Sequence, residues 1–198
     1  MAKPRPVHGL DPHKRLRPNA RRILAVRIDE VWDFERVVQH PDAVTELHDM
    51  RIACKRLRYL LEIFGVAFTA DLEPYIDRVK GLQDLLGEIH DRDVQVPALR
   101  DHLAWLEERE AEAAQRLVAR RARQAGNGAA GDDPEAALRA FKRSFARGRR
   151  ADERPGVHAL IGTLRRERAE LYDAFVAEWR RMRQERFRAH LEDALGLS

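Results

Sequence analysis

The sequence predicts an all-α fold, an antiparallel helical bundle of six or seven helices, on three observations. Charged residues make up 35% of the 198 residues and aromatics only 7%, the profile of amphipathic helices. Apolar residues recur at three- and four-residue steps through most of the chain, and no alternating segment of β type occurs. Runs rich in Gly, Pro and Asp separate the periodic stretches.

The elements follow in order. Residues 1–16 hold Pro4, Pro6 and Pro12 among several bases and read as a flexible basic arm, with one helical domain over 17–198. Pro18 suits the first turn of a helix running to about Val38. His40-Pro41-Asp42 closes it and opens a second helix, from about Ala43 to Phe68. Asp71 can cap a third, in which Tyr75, Ile76, Val79, Leu82, Leu86 and Ile89 keep the helical period. Asp91 or Asp93 can cap a fourth, through Leu99, Leu103 and Leu106 towards Ala125. The run GNGAAGDDP at 126–134 predicts a linker or disordered insertion, and 149–156 a second polar connection, with a short helix between them ending near Gly148. From Val157 a long helix carries Leu160, Ile161, Leu164, Leu171, Phe175 and Met182, and ERFRAHLEDAL forms the last one.

Composition narrows the function classes. Cys54 is the single cysteine, so an intrachain disulfide is excluded and a reducing compartment is expected. The first residues contain no apolar core of a secretory signal, and no eighteen apolar residues run together. A cytoplasmic protein is expected. The net charge of +4 is unevenly spread: acids outnumber bases twelve to five over 71–112, and bases lead ten to three over 116–150. Such a layout can present one positive face to a polyanion.

The most informative stretch is LHDMRIACKRLRYLLEIF, residues 47–64. His48, Arg51, Lys55 and Arg58 stand at i, i+3, i+7 and i+10, on one helical stripe. Leu47, Met50, Cys54, Leu57 and Leu61 follow the same spacing one step round and form an apolar stripe beside it. The cations therefore run along the edge of a core for about 15 Å, at 1.5 Å per residue. Arg56 falls about 120° from the centre of the stripe, at 100° per residue. Basic side chains beside a buried seam often only cover apolar surface. Here residues 50–61 contain no acid, so ion pairs within that stretch cannot neutralise them. Arg21, Arg22, Arg27 and Lys80 are candidates to extend the track from neighbouring helices. VHALIGTLRRERAEL at 157–171 echoes the stripe and offers Arg165 and Arg168 as secondary candidates.

Followed by LQDLLGEIHDRDV, that stretch resembles the two hallmark segments of the CHAD family, the histidine-containing α-helical domain. His48, Arg51, Lys55, Arg56, Leu57 and Arg58 stand at the positions of its H-x-x-R-hydrophobic-x-x-[RK]-R-L-R helix. Leu86, Gly87, Asp91, Asp93 and Val94 stand at those of its L-G-x-x-R-D-x-D-V segment, with His90 in place of the usual Arg. The resemblance implies a CHAD-like helical bundle that binds inorganic polyphosphate through a basic surface or pore, in association with polyphosphate granules, without catalysis, cofactor or metal. Larger members carry two such halves, so this single signature suggests that a homodimer completes the channel.

Two other readings stay open. A pI near 9.6 permits binding to a nucleic-acid backbone, although Tyr59 is the one aromatic along the stripe on which a base could stack. The pairs His48-Asp49 and His90-Asp91, with Glu88 and Asp93 nearby, permit a metal-dependent HD-type phosphohydrolase, since imidazole and carboxylate suit a divalent metal.

Overall fold

The computed structural model describes residues 3–13, 15–125, 139 and 152–197, and their regular structure is entirely helical. Five α-helices are found among the described residues: α1 Leu16–Trp32, α2 Val44–Phe64, α3 Glu73–Ala125, α4 Arg154–Gln184 and α5 Phe187–Leu195. Short 3-10 segments, Asp33–Gln39 and Gly65–Ala67, tighten the chain after α1 and α2. Hence each of the first two α-helices stops short of its expected end. The helix expected between 134 and 148 and the break at 126–134 lie outside the described residues, save that Arg139 is helical.

The expected third and fourth helices are one. Asp71 does cap, its Oδ1 accepting from the Glu73 N–H at 3.0 Å. Asp91 and Asp93 do not, because the helix runs straight through them and past Pro97. Asp91 is exposed, and the Asp93 carboxylate is occupied by Arg168. With backbone partners available on both sides, a side-chain cap there has no free N–H to satisfy. The 149–156 connection ends earlier than expected, since α4 already begins at Arg154, and 149–151 lie outside the described residues. Asp152 Oδ1 accepts from the Arg154 N–H, and Pro155 suits a first turn.

The sequence predicts one domain from residue 17 onwards; the fold divides into two compact units, Met1–Val94 with Arg165–Ser198, and Gln95–Leu164. In the first, α1 buries Ala20, Leu24, Ile28 and Val31, and α2 buries Leu47, Met50, Ala53, Cys54, Leu57 and Leu61. Ile76, Val79, Leu82, Leu86 and Ile89 of α3 join them, with Phe175, Trp179 and Met182 of α4 and Leu191 and Leu195 of α5. Residues 3–13, the described part of the expected arm, contact α1: Arg22 donates to the Gly9 carbonyl, and Asn19 to the Asp11 carbonyl at 2.6 Å. The second unit buries Leu103, Ile161 and Leu164 and pairs Arg154 with Glu110.

The end of α5 is closed by a Schellman pair. Gly196, at φ +66°, donates to the Asp193 carbonyl at 2.9 Å, and Leu197 donates to the Glu192 carbonyl at 2.8 Å. Arg21 Nε, from α1, donates to the Leu195 carbonyl at 2.7 Å, so another α5 carbonyl is satisfied. Beneath the basic stripe, Cys54 is fully buried, and burial pushes its thiol up to about 12. The thiol is therefore expected to resist alkylation in the folded protein and to react on addition of denaturant. Leu57 is equally enclosed, and Leu57→Ala should lower stability by about 3 kcal/mol, read from the urea midpoint.

Candidate functional site

The site is a seam between α2 and the first half of α3. The apolar stripe of α2 anchors it, holding Leu47, Met50, Cys54, Leu57 and Leu61 in the core and leaving His48, Arg51 and Arg58 half-buried and Lys55 exposed at its edge. From α3, His90 meets His48 with ring centroids 4.2 Å apart, tilted by 39°. Gly87 meets Arg51: a Cβ there would lie 3.4 Å from Arg51 Nε. The two pairs have the same residue sum, as antiparallel helices require. Continuing that register sets Gln83 against Lys55 and Lys80 against Arg58. The α3 positions 80, 83, 87 and 90 repeat the i, i+3, i+7, i+10 spacing of the α2 stripe.

Several polar atoms along this seam have no hydrogen-bond partner among the described residues: His48 Nδ1, Arg51 Nε, Gln83 Oε1 and His90 Nδ1 are shielded and unpartnered, whereas Arg58 Nε has Glu62 beside it. Buried polar groups are normally satisfied, so a concentration of unsatisfied ones on facing helices points to an external ligand. Arg51 makes no ion pair among the described residues, nor do Lys55 and Lys80, both of which are exposed. Lys55 Nζ stands 5.7 Å from the Tyr59 ring centroid, with the Arg58 guanidinium 4.6 Å from it on the same residue. The aromatic is thus already engaged by cations, which weakens it as a base-stacking platform.

Several sequence expectations are corrected. Arg58 is not unquenched: Glu62, one residue past the acid-free stretch, approaches its Nε to 3.5 Å. Arg56 is half-buried and partnered. Arg21 closes α5, Arg22 holds the Gly9 carbonyl, and Arg27 is buried against Glu30 and donates to the Arg5 carbonyl at 2.9 Å. These three side chains are engaged by other parts of the fold, away from the α2–α3 register. Arg168 pairs with Asp93 and donates to the Pro41 carbonyl at 2.7 Å, so this half of the echo is structural as well. Arg165 is exposed on α4. Only Lys80, of the flanking candidates, falls in register with the stripe. The α3 members Gln83, Gly87 and His90 were not among the expected contacts.

The HD-type constellation does not assemble. Among the described residues, no group of three or more His, Cys, Asp or Glu side chains is placed to hold a metal ion. Glu88 is paired with Arg92 and Asp93 with Arg168. A separate cavity of about 590 Å³, lined by Glu35, Val38, Gln39, Tyr172, Trp179 and Arg183 among others, includes none of the seam residues.

An all-helical domain with a basic inter-helix seam is the class that this geometry defines. The CHAD domain family model matches residues 3–100, a span that contains every residue of the seam, and over that span the chain belongs to the CHAD family. No curated protein and no solved structure matches the chain. No helix among the described residues is long and apolar enough to cross a membrane.

The seam has consequences for stability. Burial, then the neighbouring His90 and Arg51, lower the His48 pKa below its ordinary 6.5, against the opposing pull of Asp49. The unfolded chain therefore takes up a proton at this residue before the folded one does. Stability from this group is present above pH 6.5 and is lost as the pH falls from there through the lowered folded-state pKa. Acid unfolding of His48→Gln should show a smaller loss over that window. Asp93 is enclosed, so Arg168→Ala should cost about 2 kcal/mol by stranding its carboxylate, whereas Arg51→Ala should leave the thermal midpoint unchanged or raised.

Proposed function

We propose that this chain binds inorganic polyphosphate, without catalysis, along the α2–α3 seam. The observation that carries this reading is the alignment of unneutralised Arg51, Lys55 and Lys80 with half-buried His48 and Arg58 on two facing helices. A linear anion with charge at every repeat fits a row of cations about 15 Å long better than a compact ligand would. Arg51 grips two phosphate oxygens through its planar fork, and Lys55 and Lys80 supply mobile point charges from either side. His48 donates a ring N–H to an oxygen lying in the seam. Membership of the CHAD family over residues 3–100 supports the same reading, and retention at polyphosphate granules follows from it.

Neutralising such a chain releases its condensed counterions, so affinity should fall by at least about tenfold between about 50 and about 200 mM salt. Arg51→Glu with Lys55→Glu should weaken binding by about a hundredfold, at about 1.4 kcal/mol per tenfold, with unchanged circular dichroism. Arg22→Ala, outside the seam, should retain wild-type affinity. Fluorescence titration with long-chain polyphosphate measures all three, and binding unaltered by the double reversal would end this assignment. Double-stranded DNA at equal phosphate concentration should compete poorly, because the seam has no free aromatic platform and its width is set by two packed helices.

A further inference from the structure

His48 and His90 meet face to tilted face at one end of the seam, and neither Nδ1 has a hydrogen-bond partner among the described residues. Arg51 stands one helical turn from His48 on the same stripe. The surrounding acids do little to hold protons on this pair. Asp49 follows His48 and opposes the lowering without cancelling it, Asp91 is exposed, Glu88 pairs with Arg92, and Asp93 pairs with Arg168. Two imidazolium rings at this separation, beside a guanidinium, repel one another. In the ligand-free protein, burial and these neighbours lower the His48 pKa. An anion reverses the balance, because a nearby negative charge favours the protonated ring and accepts its N–H. Both residues are only partly buried, so a ligand reaches the rings from solvent at the edge away from the shielded Nδ1 atoms.

We propose that His48 and His90 act together as a proton-gated phosphate clamp, closing on a phosphoryl group of polyphosphate when they take up a proton and so tightening binding on acidification. This rests on the polyphosphate reading and adds to it a second histidine and a control by pH. The far end of the seam, with Arg58 and Lys80 in register, keeps its charge at every physiological pH. The molecule thus has a permanent grip at one end and a conditional one at the other. Interior phosphates of long-chain polyphosphate stay ionised across the relevant range, so the change in affinity originates in the protein.

The test measures affinity for long-chain sodium polyphosphate at about pH 7.5 and about pH 5.5, spanning the ordinary histidine pKa, at constant ionic strength. Wild-type protein and His48→Gln/His90→Gln are compared. The wild type should gain about tenfold on acidification, the effect of one linked pKa unit, and the double variant should show little gain. Titration calorimetry in buffers of different ionisation enthalpy should show proton uptake on binding by the wild type at about pH 6.5. Histidine ring resonances should titrate at higher pH with polyphosphate than without, a reading that needs no variant to fold. Equal gains in wild type and variant, or binding with no proton uptake and unmoved histidine resonances, would overturn the clamp while leaving polyphosphate binding intact. Failure of the wild type to bind at either pH would overturn both.

Discussion

The packing of α2 against α3, which brings His90 onto His48 and Arg51 beside Gly87, is the constraint on which the site depends. The Arg51 side chain comes close to α3 there, its Nε 3.4 Å from where a Cβ on Gly87 would stand, an ordinary van der Waals contact. The apolar stripe of α2 supplies the adhesion, and Leu82, Leu86 and Ile89 supply the complementary surface. Packing fixes the distance between the helices, and that distance brings His90 onto His48. Remove the packing and the cations become independent surface charges, each screened and each worth little.

Charge is sorted across the first unit with similar economy. Many of its arginines are tied into ion pairs: Arg27 to Glu30, Arg78 to Glu178 and Glu185, Arg92 to Glu88 and Glu167, Arg183 to Glu35, Arg188 to Asp29 and Glu192. Against this background, Arg51, Lys55 and Lys80 make no ion pair among the described residues, as Arg17, Arg36, Arg180 and Arg186 do not, but these three fall together along one seam. A modest net charge of +4 is therefore compatible with a strongly positive local field. Where the unpaired charges sit matters more than how many there are.

The α2 stripe was legible because helical periodicity and an acid-free window are local properties of sequence. The same logic failed where a partner lies far along the chain. Arg21 is claimed by a carbonyl 174 residues away, and Arg168 by a carboxylate 75 residues away, and no spacing rule reports either. Arg58 was misjudged for a smaller reason, since Glu62 stands immediately outside the window considered. His90 and Gln83 did carry a usable signal, the spacing of 80, 83, 87 and 90 that matches 48, 51, 55 and 58. The weak chemistry of Gln and Gly at two of those positions hid it. Aspartates near residue 92 suggested a helix boundary that the backbone ignores, because a carboxylate can serve an ion pair as readily as a cap.

The bond from Arg21 to Leu195 bears on the order in which this molecule can be made. The first compact unit is assembled from both ends of a sequence that the second unit interrupts, and Phe187, Leu191 and Leu195 fill part of its core. A nascent chain that has emerged only as far as α3 exposes the apolar surface those side chains will cover. Closing so wide a loop is entropically slow. Until α5 leaves the ribosome, the apolar faces of α1 and α2 therefore lack part of the cover they have in the finished fold.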